Sequence, residues 1–189
     1  MADSDCGDAR TKVQETAGEL YQIAALMMGD ESQAAELVET AVAKTEIDPC
    51  AERDATVLAT CQTLVESAVA RLSKADPKAF EIPPPMEESS GHCIDDDDLS
   101  ATGISASQLA GMVRGPERSR LREWLNKLPV AQRAIFVERA ILGWDNAAAA
   151  ASLRRAASRN WQPRQVSELF RQALCSLATS LVHAVTAQV

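Results

Sequence analysis

The chain has 189 residues, enough for one medium-sized domain or for two small domains with separate cores. It is rich in alanine, leucine and valine and has only 4% aromatic residues, so its composition favours helices over strands. No alternating run predicts a sheet, no apolar run approaches the roughly 20 residues that cross a bilayer, and the acidic start is unlike a signal peptide. These features predict an all-α, cytoplasmic protein without a membrane partner.

The net charge of −8 is distributed unevenly along the chain. Residues 1–72 carry 14 acidic and 5 basic side chains, residues 73–116 carry 8 and 3, and residues 117–189 carry 5 and 11. The basic C-terminal part is therefore suited to phosphate contacts, whereas the acidic N-terminal part repels a phosphate backbone.

Helical periodicity divides residues 1–72 into three predicted helices. Apolar side chains recur at spacings of three and four over residues 11–28, and again in a second helix that Ser32 is expected to cap. A third amphipathic stretch covers residues 54–72. The three helices are expected to bury a shared core and to form the first domain.

Residues 73–116 interrupt this pattern and are predicted to be an acidic, proline-rich linker that is at least partly disordered. Three consecutive prolines at 83–85 exclude a helix there, and the run of four aspartates at 95–98 repels itself. A short amphipathic segment is expected at 105–113, with three apolar anchors: Ile104, Leu109 and Met112.

The cysteines show no metal-binding or CxxC spacing. There are five of them, and an odd, scattered set indicates a reduced intracellular protein. His92 and Cys93 beside the aspartate run are a candidate metal site, but a disordered acidic tract is the preferred interpretation. We therefore predict no metal and no cofactor.

Four helices are predicted in the second domain, residues 117–189. They cover residues 121–128, 129–142 and 147–153, followed by a long helix from 163 past 181. Asp145 or Asn146 is expected to cap the small third helix.

The last two helices fit a helix-turn-helix motif. The alanine-rich small helix permits close packing, and the long helix has one continuous apolar face. An ordinary helical hairpin with a polar exterior remains the alternative. The candidate DNA contacts are the polar and basic side chains of the turn and the outer face: Arg154, Arg155, Arg159, Arg164, Gln165 and Arg171.

Three stretches resemble two regions of RNA polymerase sigma factors of the extracytoplasmic-function type. LREWLNKLPVAQRAIFVERAILGWDNAAAAA, residues 121–151, is similar to sigma region 4, and QVSELFRQAL, residues 165–174, is similar to its recognition helix. LYQIAALMMGDESQAAELVETAV, residues 20–42, resembles region 2. The resemblance implies two small helical domains, a region 2-like three-helix unit and a region 4-like helix-turn-helix, joined by a long linker.

The resemblance also implies partners. RNA polymerase core is expected to contact Glu36, Leu37 and Glu39. Promoter DNA is expected to contact the second domain. An anti-sigma protein is a further candidate partner. No catalytic motif is present (no glycine-rich phosphate loop, HExxH or GxSxG), so we do not expect an enzyme.

Several residues depart from the sigma pattern. The predicted third helix has no aromatic side chain and a single basic one, Arg71, although holding single-stranded bases needs both types. Ser167 and Leu169 replace the usual basic residues, and Glu168 adds negative charge. The alternative function is therefore a sigma-fold interaction module without promoter recognition. A third interpretation is a helix-turn-helix regulator that dimerises through its last helix.

Overall fold

The computed structural model describes residues 9–45, 53–83 and 93–186, and within these ranges it contains helices and turns but no strand. The prediction of an all-α protein is confirmed. The chain divides into two compact units, Met1–Ala68 and Val69–Val189. None of the helices in the described ranges has the length and apolar character that a membrane crossing requires.

Eight α-helices are described. They are α1 Ala9–Met28, α2 Glu31–Lys44, α3 Arg53–Ala75, α4 Ala106–Arg114, α5 Arg118–Lys127, α6 Val130–Phe136, α7 Asn146–Ala157 and α8 Pro163–Thr186. Two short 3-10 turns, Pro77–Phe80 and Leu99–Thr102, lie between α3 and α4. The helix predicted over residues 129–142 ends earlier as an α-helix, at Phe136, and continues as the π-helical turn Val137–Ile141.

The first unit is built on the packing of α1 against α2. The facing side chains are apolar and buried: Leu20, Ala24, Met27, Ala34, Leu37, Val38 and Ala41. Asp30, and not Ser32 as predicted, caps α2, because the Asp30 carboxylate accepts a hydrogen bond from the backbone nitrogen of Gln33 at 2.8 Å. Ser32 lies two residues after the cap, inside the first turn of α2.

The buried face of α3 includes Cys61, which is 4% exposed. Burial is the main cause that raises the pKa of the Cys61 thiol to about 11, and the negative charge of Glu19 on α1 adds to it. Cys61 is therefore a protonated, packed side chain at neutral pH, without the thiolate that a nucleophile or metal ligand requires.

Residues 93–116, predicted to belong to the linker, are folded as part of the second unit. Their apolar side chains are spaced at intervals of about five residues and are buried: Ile94, Leu99, Ile104, Leu109 and Val113. The predicted helix at 105–113 is confirmed as α4, whose capping box joins Ser105 and Gln108 in both directions. Burial of these anchors offsets the self-repulsion of the aspartate run at 95–98. The chain between 84 and 92, which includes Pro84, Pro85 and His92, lies outside the described residues.

Cys93 and Cys175 form a disulfide, with their Cα atoms 5.9 Å apart. The expectation of reduced, unpaired cysteines is therefore wrong for this pair. The two residues are separated by 82 positions, so their proximity arises from the fold and has no signature in local spacing. Since Cys93 is covalently paired, the candidate metal site at this position loses one of its two proposed ligands.

The core of the second unit is centred on aromatic side chains from α5, α6 and α8. The Trp124 and Phe136 rings meet edge to face with centroids 4.9 Å apart, and Phe136 lies 6.1 Å from Phe170. Trp161, in the turn between α7 and α8, is fully buried. This side chain holds the turn against the core.

Replacing Trp161 should destabilise the second unit strongly. We expect Trp161→Ala to lower the free energy of unfolding by about 3–5 kcal/mol, because a large buried ring is removed from a close-packed site. Trp144→Ala, at a half-buried tryptophan in the same unit, is the matched control and should cost clearly less. Urea denaturation followed by circular dichroism measures both, and equal losses would contradict the anchoring role of Trp161.

Candidate nucleic-acid interface

The first helix of the candidate motif, α7, is small enough to pack closely on α8. Asp145 caps it by accepting a hydrogen bond from the backbone nitrogen of Ala148 at 2.7 Å, which settles the two caps proposed from sequence. Ala149, Ala150 and Leu153 are fully buried. With only methyl groups at two of these positions, the backbones of α7 and α8 can approach as a helix-turn-helix requires.

The turn that follows α7 is held by three local features. Ser158 adopts a left-handed conformation with φ of 52°, which ends the helix. The Arg154 guanidinium donates from Nη1 to the carbonyl oxygen of Trp161 at 2.6 Å. The backbone nitrogen of Gln162 donates to Oε1 of Gln165 at 2.8 Å, so Gln165 caps the start of α8.

Four of the predicted DNA contacts form what we call the arginine cluster: Arg154, Arg155, Arg159 and Arg164. All four side chains are exposed. They lie on the last turn of α7, on the connecting turn and on the first turn of α8, at one end of the motif. The backbone N–H groups at the start of α8 add partial positive charge there.

The other two predicted contacts, Gln165 and Arg171, are less exposed than the arginine cluster and are hydrogen-bonded within the protein. Gln165 uses its carbonyl oxygen in the cap just described. The Arg171 guanidinium lies 3.1 Å from the Glu168 carboxylate through Nη2 and donates from Nη1 to the carbonyl oxygen of Asp95 at 3.3 Å. Its side chain is only 22% exposed. Arg171 is therefore not presented outward as the sequence suggested.

Asp97, in the aspartate run, was not predicted from the sequence to bind the second domain. Its carboxylate accepts a hydrogen bond from Nδ2 of Asn146 at 2.6 Å, and its backbone carbonyl accepts one from Nη2 of Arg139 at 2.9 Å. Arg139 also lies over the Phe170 ring, 4.9 Å from the centroid. The only advance signal was an aspartate run in front of a basic domain, and that signal does not identify which aspartate binds.

These contacts hold the Asp97 carboxyl in its charged form. The hydrogen bond from Asn146 is the largest cause that lowers its pKa, and a hydrogen bond from Ser167 adds to it. The positive charges of Arg139 and Arg171 act in the same direction, while partial burial opposes them.

The predicted polymerase contacts lie in the first unit, on α2. Glu36 and Glu39 are exposed on its outer face. Leu37 is 3% exposed and belongs to the core, so its side chain is not available to a partner. A polymerase contact on α2 would therefore involve the two carboxylates and not Leu37.

No protein-family model, no curated protein and no solved structure matches the chain. In the described ranges, no group of three or more His, Cys, Asp or Glu side chains is arranged to hold a metal ion. The candidate interface is therefore identified from its own geometry.

Removing the Asp97 charge should reveal a pH-dependent stabilisation. The folded-state pKa of Asp97 is lowered, so its stabilising effect is complete above the unfolded pKa of about 4 and is lost as the pH falls through the folded value. We expect Asp97→Asn to cost about 1 kcal/mol at pH 7 and much less near pH 2–3.

The matched control for this measurement is Asp96→Asn, at an exposed neighbour. Urea titrations at both pH values give the free energies of unfolding. An Asp97→Asn cost that does not change with pH would show that the charge of Asp97 contributes nothing.

Proposed function

We propose that the chain is a sigma-like transcription protein that binds DNA through the α7–turn–α8 motif and RNA polymerase core through α2. The arginine cluster carries this proposal: four exposed guanidinium groups lie at the end of the motif that would approach a duplex. Arginine–phosphate contacts supply most of the sequence-independent affinity for DNA. The start of α8 adds a favourable dipole for a phosphate group.

Base recognition by α8 is expected to be weak. Gln165 is occupied by the helix cap, and Glu168 and Arg171, only 18% and 22% exposed, are paired with each other instead of facing outward. Contacts to phosphates position a protein on DNA but carry no sequence information. Binding should therefore depend strongly on salt and little on sequence.

The same observations favour a second candidate, a sigma-like interaction module without promoter recognition. Under the sigma resemblance, α3 would take the place of the helix that captures the melted strand, but it has no aromatic side chain for stacking on bases. Such a module would still contact polymerase or an anti-sigma protein. Exposed Glu36 and Glu39 support a protein contact under either candidate.

The arginine cluster can be tested with the full-length protein and a labelled 20-base-pair duplex. We expect Arg159→Gln/Arg164→Gln to weaken binding by roughly 10- to 100-fold at low salt and to reduce the slope of log K against log salt by about 2. Each substitution removes one phosphate contact. Fluorescence anisotropy over a series of salt concentrations gives both quantities.

The control variant for this titration is Arg114→Gln/Arg118→Gln. It removes the same charge from exposed positions at the end of α4 and the start of α5. If both double variants lose affinity equally, net charge and not the motif determines binding. If the parent does not bind, the DNA half of the proposal is refuted.

Polymerase binding is tested by a pull-down with core enzyme, paired with run-off transcription. We expect Glu36→Gln/Glu39→Gln to reduce retention about tenfold, since two carboxylates of the contact are lost. Glu81→Gln/Glu117→Gln removes equal charge from exposed positions and should be retained like the parent.

Run-off transcription then separates the two candidates. Specific initiation supports the sigma-like factor, and retention without initiation supports the interaction module. If core enzyme does not retain the parent, the polymerase contact is refuted.

A further inference from the structure

The acidic segment, residues 93–98, lies across the outer side of α8. Its first residue is bonded through a disulfide to Cys175 in α8, and Asp95 and Asp97 contact α8 and neighbouring helices. The Ile94 side chain is buried in the apolar core and is 9% exposed. The segment is thus attached covalently at one end and by polar contacts along its length.

The side chains beneath the acidic segment belong to the face that a recognition helix turns towards DNA. Ser167 lies near enough to the Asp97 carboxylate to help lower its pKa, and Arg171 donates to the Asp95 carbonyl. Both residues lie on α8 outside its buried stripe. Aspartate carboxylates here take positions where phosphate groups would be attracted, and they repel a duplex.

The polar contacts of the acidic segment involve exposed or half-buried side chains, so they hold it less firmly than the covalent disulfide does. Arg139 and Asp97 are 3.8 Å apart and partly solvated, at 16% and 34% exposure, so water and salt screen their attraction. The disulfide keeps the segment next to α8 whatever the salt concentration. Beyond residue 98, the 3-10 turn Leu99–Thr102 is anchored separately by buried Leu99. Opening would therefore be confined to residues 93–97.

The disulfide is accessible from one side. Cys93 is exposed, and Cys175 is half-buried in α8. Thiol–disulfide exchange needs a thiolate that can approach one sulfur along the bond, and exposed bridges exchange most readily. Because Cys93 is the more exposed of the two residues, we take its Sγ as the atom that a reductant attacks.

We propose that the acidic segment is a redox-controlled cover over the DNA-facing side of α8, closed by the Cys93–Cys175 disulfide and opened by exchange with a cellular dithiol. This inference rests on the proposed DNA binding. A dithiol thiolate attacks Sγ of Cys93, and Cys175 leaves as a thiolate that takes up a proton. The second thiol of the reductant then displaces Cys93 as a thiol and closes its own disulfide. Two electrons and two protons pass to the protein.

Opening of the acidic segment would change two features of the DNA-facing side of α8. Nη1 of Arg171 is released from the Asp95 carbonyl oxygen and can donate to a phosphate, while Nη2 keeps its Glu168 partner. Two exposed carboxylates, those of Asp95 and Asp96, move away from α8, whereas Asp98 stays as the cap of the Leu99–Thr102 turn. The arginine cluster lies outside the covered face and contributes in both states. Reduction should therefore strengthen DNA binding rather than create it.

The test uses the full chain with Cys6→Ser/Cys50→Ser substitutions, so that only the Cys93–Cys175 pair responds. Binding to the labelled duplex is measured in oxidised protein and in protein reduced with dithiothreitol. We expect reduction to raise affinity about tenfold at low salt, the scale of one added phosphate contact and fewer repelling charges. Adding Cys93→Ser/Cys175→Ser should give the high affinity under both conditions.

Arg171→Gln provides the specific readout. It should lower the affinity of the reduced protein and leave the oxidised protein unchanged, because Arg171 is covered in the closed form. Arg114→Gln, which removes the same charge from an exposed position on α4, should act equally in both states. An Arg171→Gln effect of the same size in both states would overturn the proposal.

Amide hydrogen exchange supplies a readout that does not depend on DNA. Exchange at residues 93–97 should accelerate on reduction, whereas α7 should keep its protection. Unchanged exchange shows that the acidic segment does not open and overturns the cover. Faster exchange with equal DNA affinity in both states also overturns it but leaves the proposed DNA binding intact. No DNA binding in either state refutes the proposed function itself and, with it, the role of the cover.

Discussion

Burial of one apolar face along α8 is the constraint on which the second unit depends. Helices α6 and α7 and the 3-10 turn Leu99–Thr102 all pack against α8. The buried stripe is continuous: Val166, Leu169, Phe170, Ala173, Leu174 and Leu177. Each large side chain in such a stripe contributes about 1.5–3 kcal/mol when removed from water. This stripe fixes the rotation of α8 about its axis, and therefore decides which residues remain on its outer side.

The orientation of α8 places two opposing charge sets close to each other. The arginine cluster occupies the end of α7, the turn and the start of α8. The acidic segment packs against α8 further along, at Arg171 and Cys175. Residues 73–116 carry five net negative charges and residues 117–189 six net positive ones, so the two nearly cancel. Affinity for a polyanion is then governed by where the charges lie and by whether the acidic segment is in place, and not by net charge.

Helical elements could be predicted because their signals are local. Apolar spacing of three and four identified α1, α2, α3 and α8, and the amphipathic 105–113 stretch identified α4 even inside a region predicted as linker. The wrong predictions within helices also concern single residues or single turns. Asp30 and Ser32 are both good caps, and only backbone geometry separates them. The π-helical turn after Phe136 has no sequence signature, since it differs from an α-helix only in backbone hydrogen bonds shifted by one residue, such as that from Leu142 N to Val137 O.

The residues of the candidate site also divide into those that local sequence could predict and those that it could not. The four members of the arginine cluster lie within eleven consecutive residues that include a turn, so the sequence alone could place them together at an exposed end. The partners of Asp97 and Cys93 could not be read in this way. They are contributed by the π-helical turn after α6, by α7 and by α8, which lie far along the chain from the acidic segment and approach it only in the folded unit.

The sequence by itself determined the helices, the charge asymmetry and the exposed arginines, because each depends on neighbours within a few turns of chain. Tertiary structure alone decided that Asp97 meets Arg139 and Asn146, at separations of 42 and 49 residues, and that Cys93 joins Cys175. Such pairings depend on how α8 is rotated against its neighbours. That rotation is set by the summed packing of the whole unit, which no local pattern of residue types encodes.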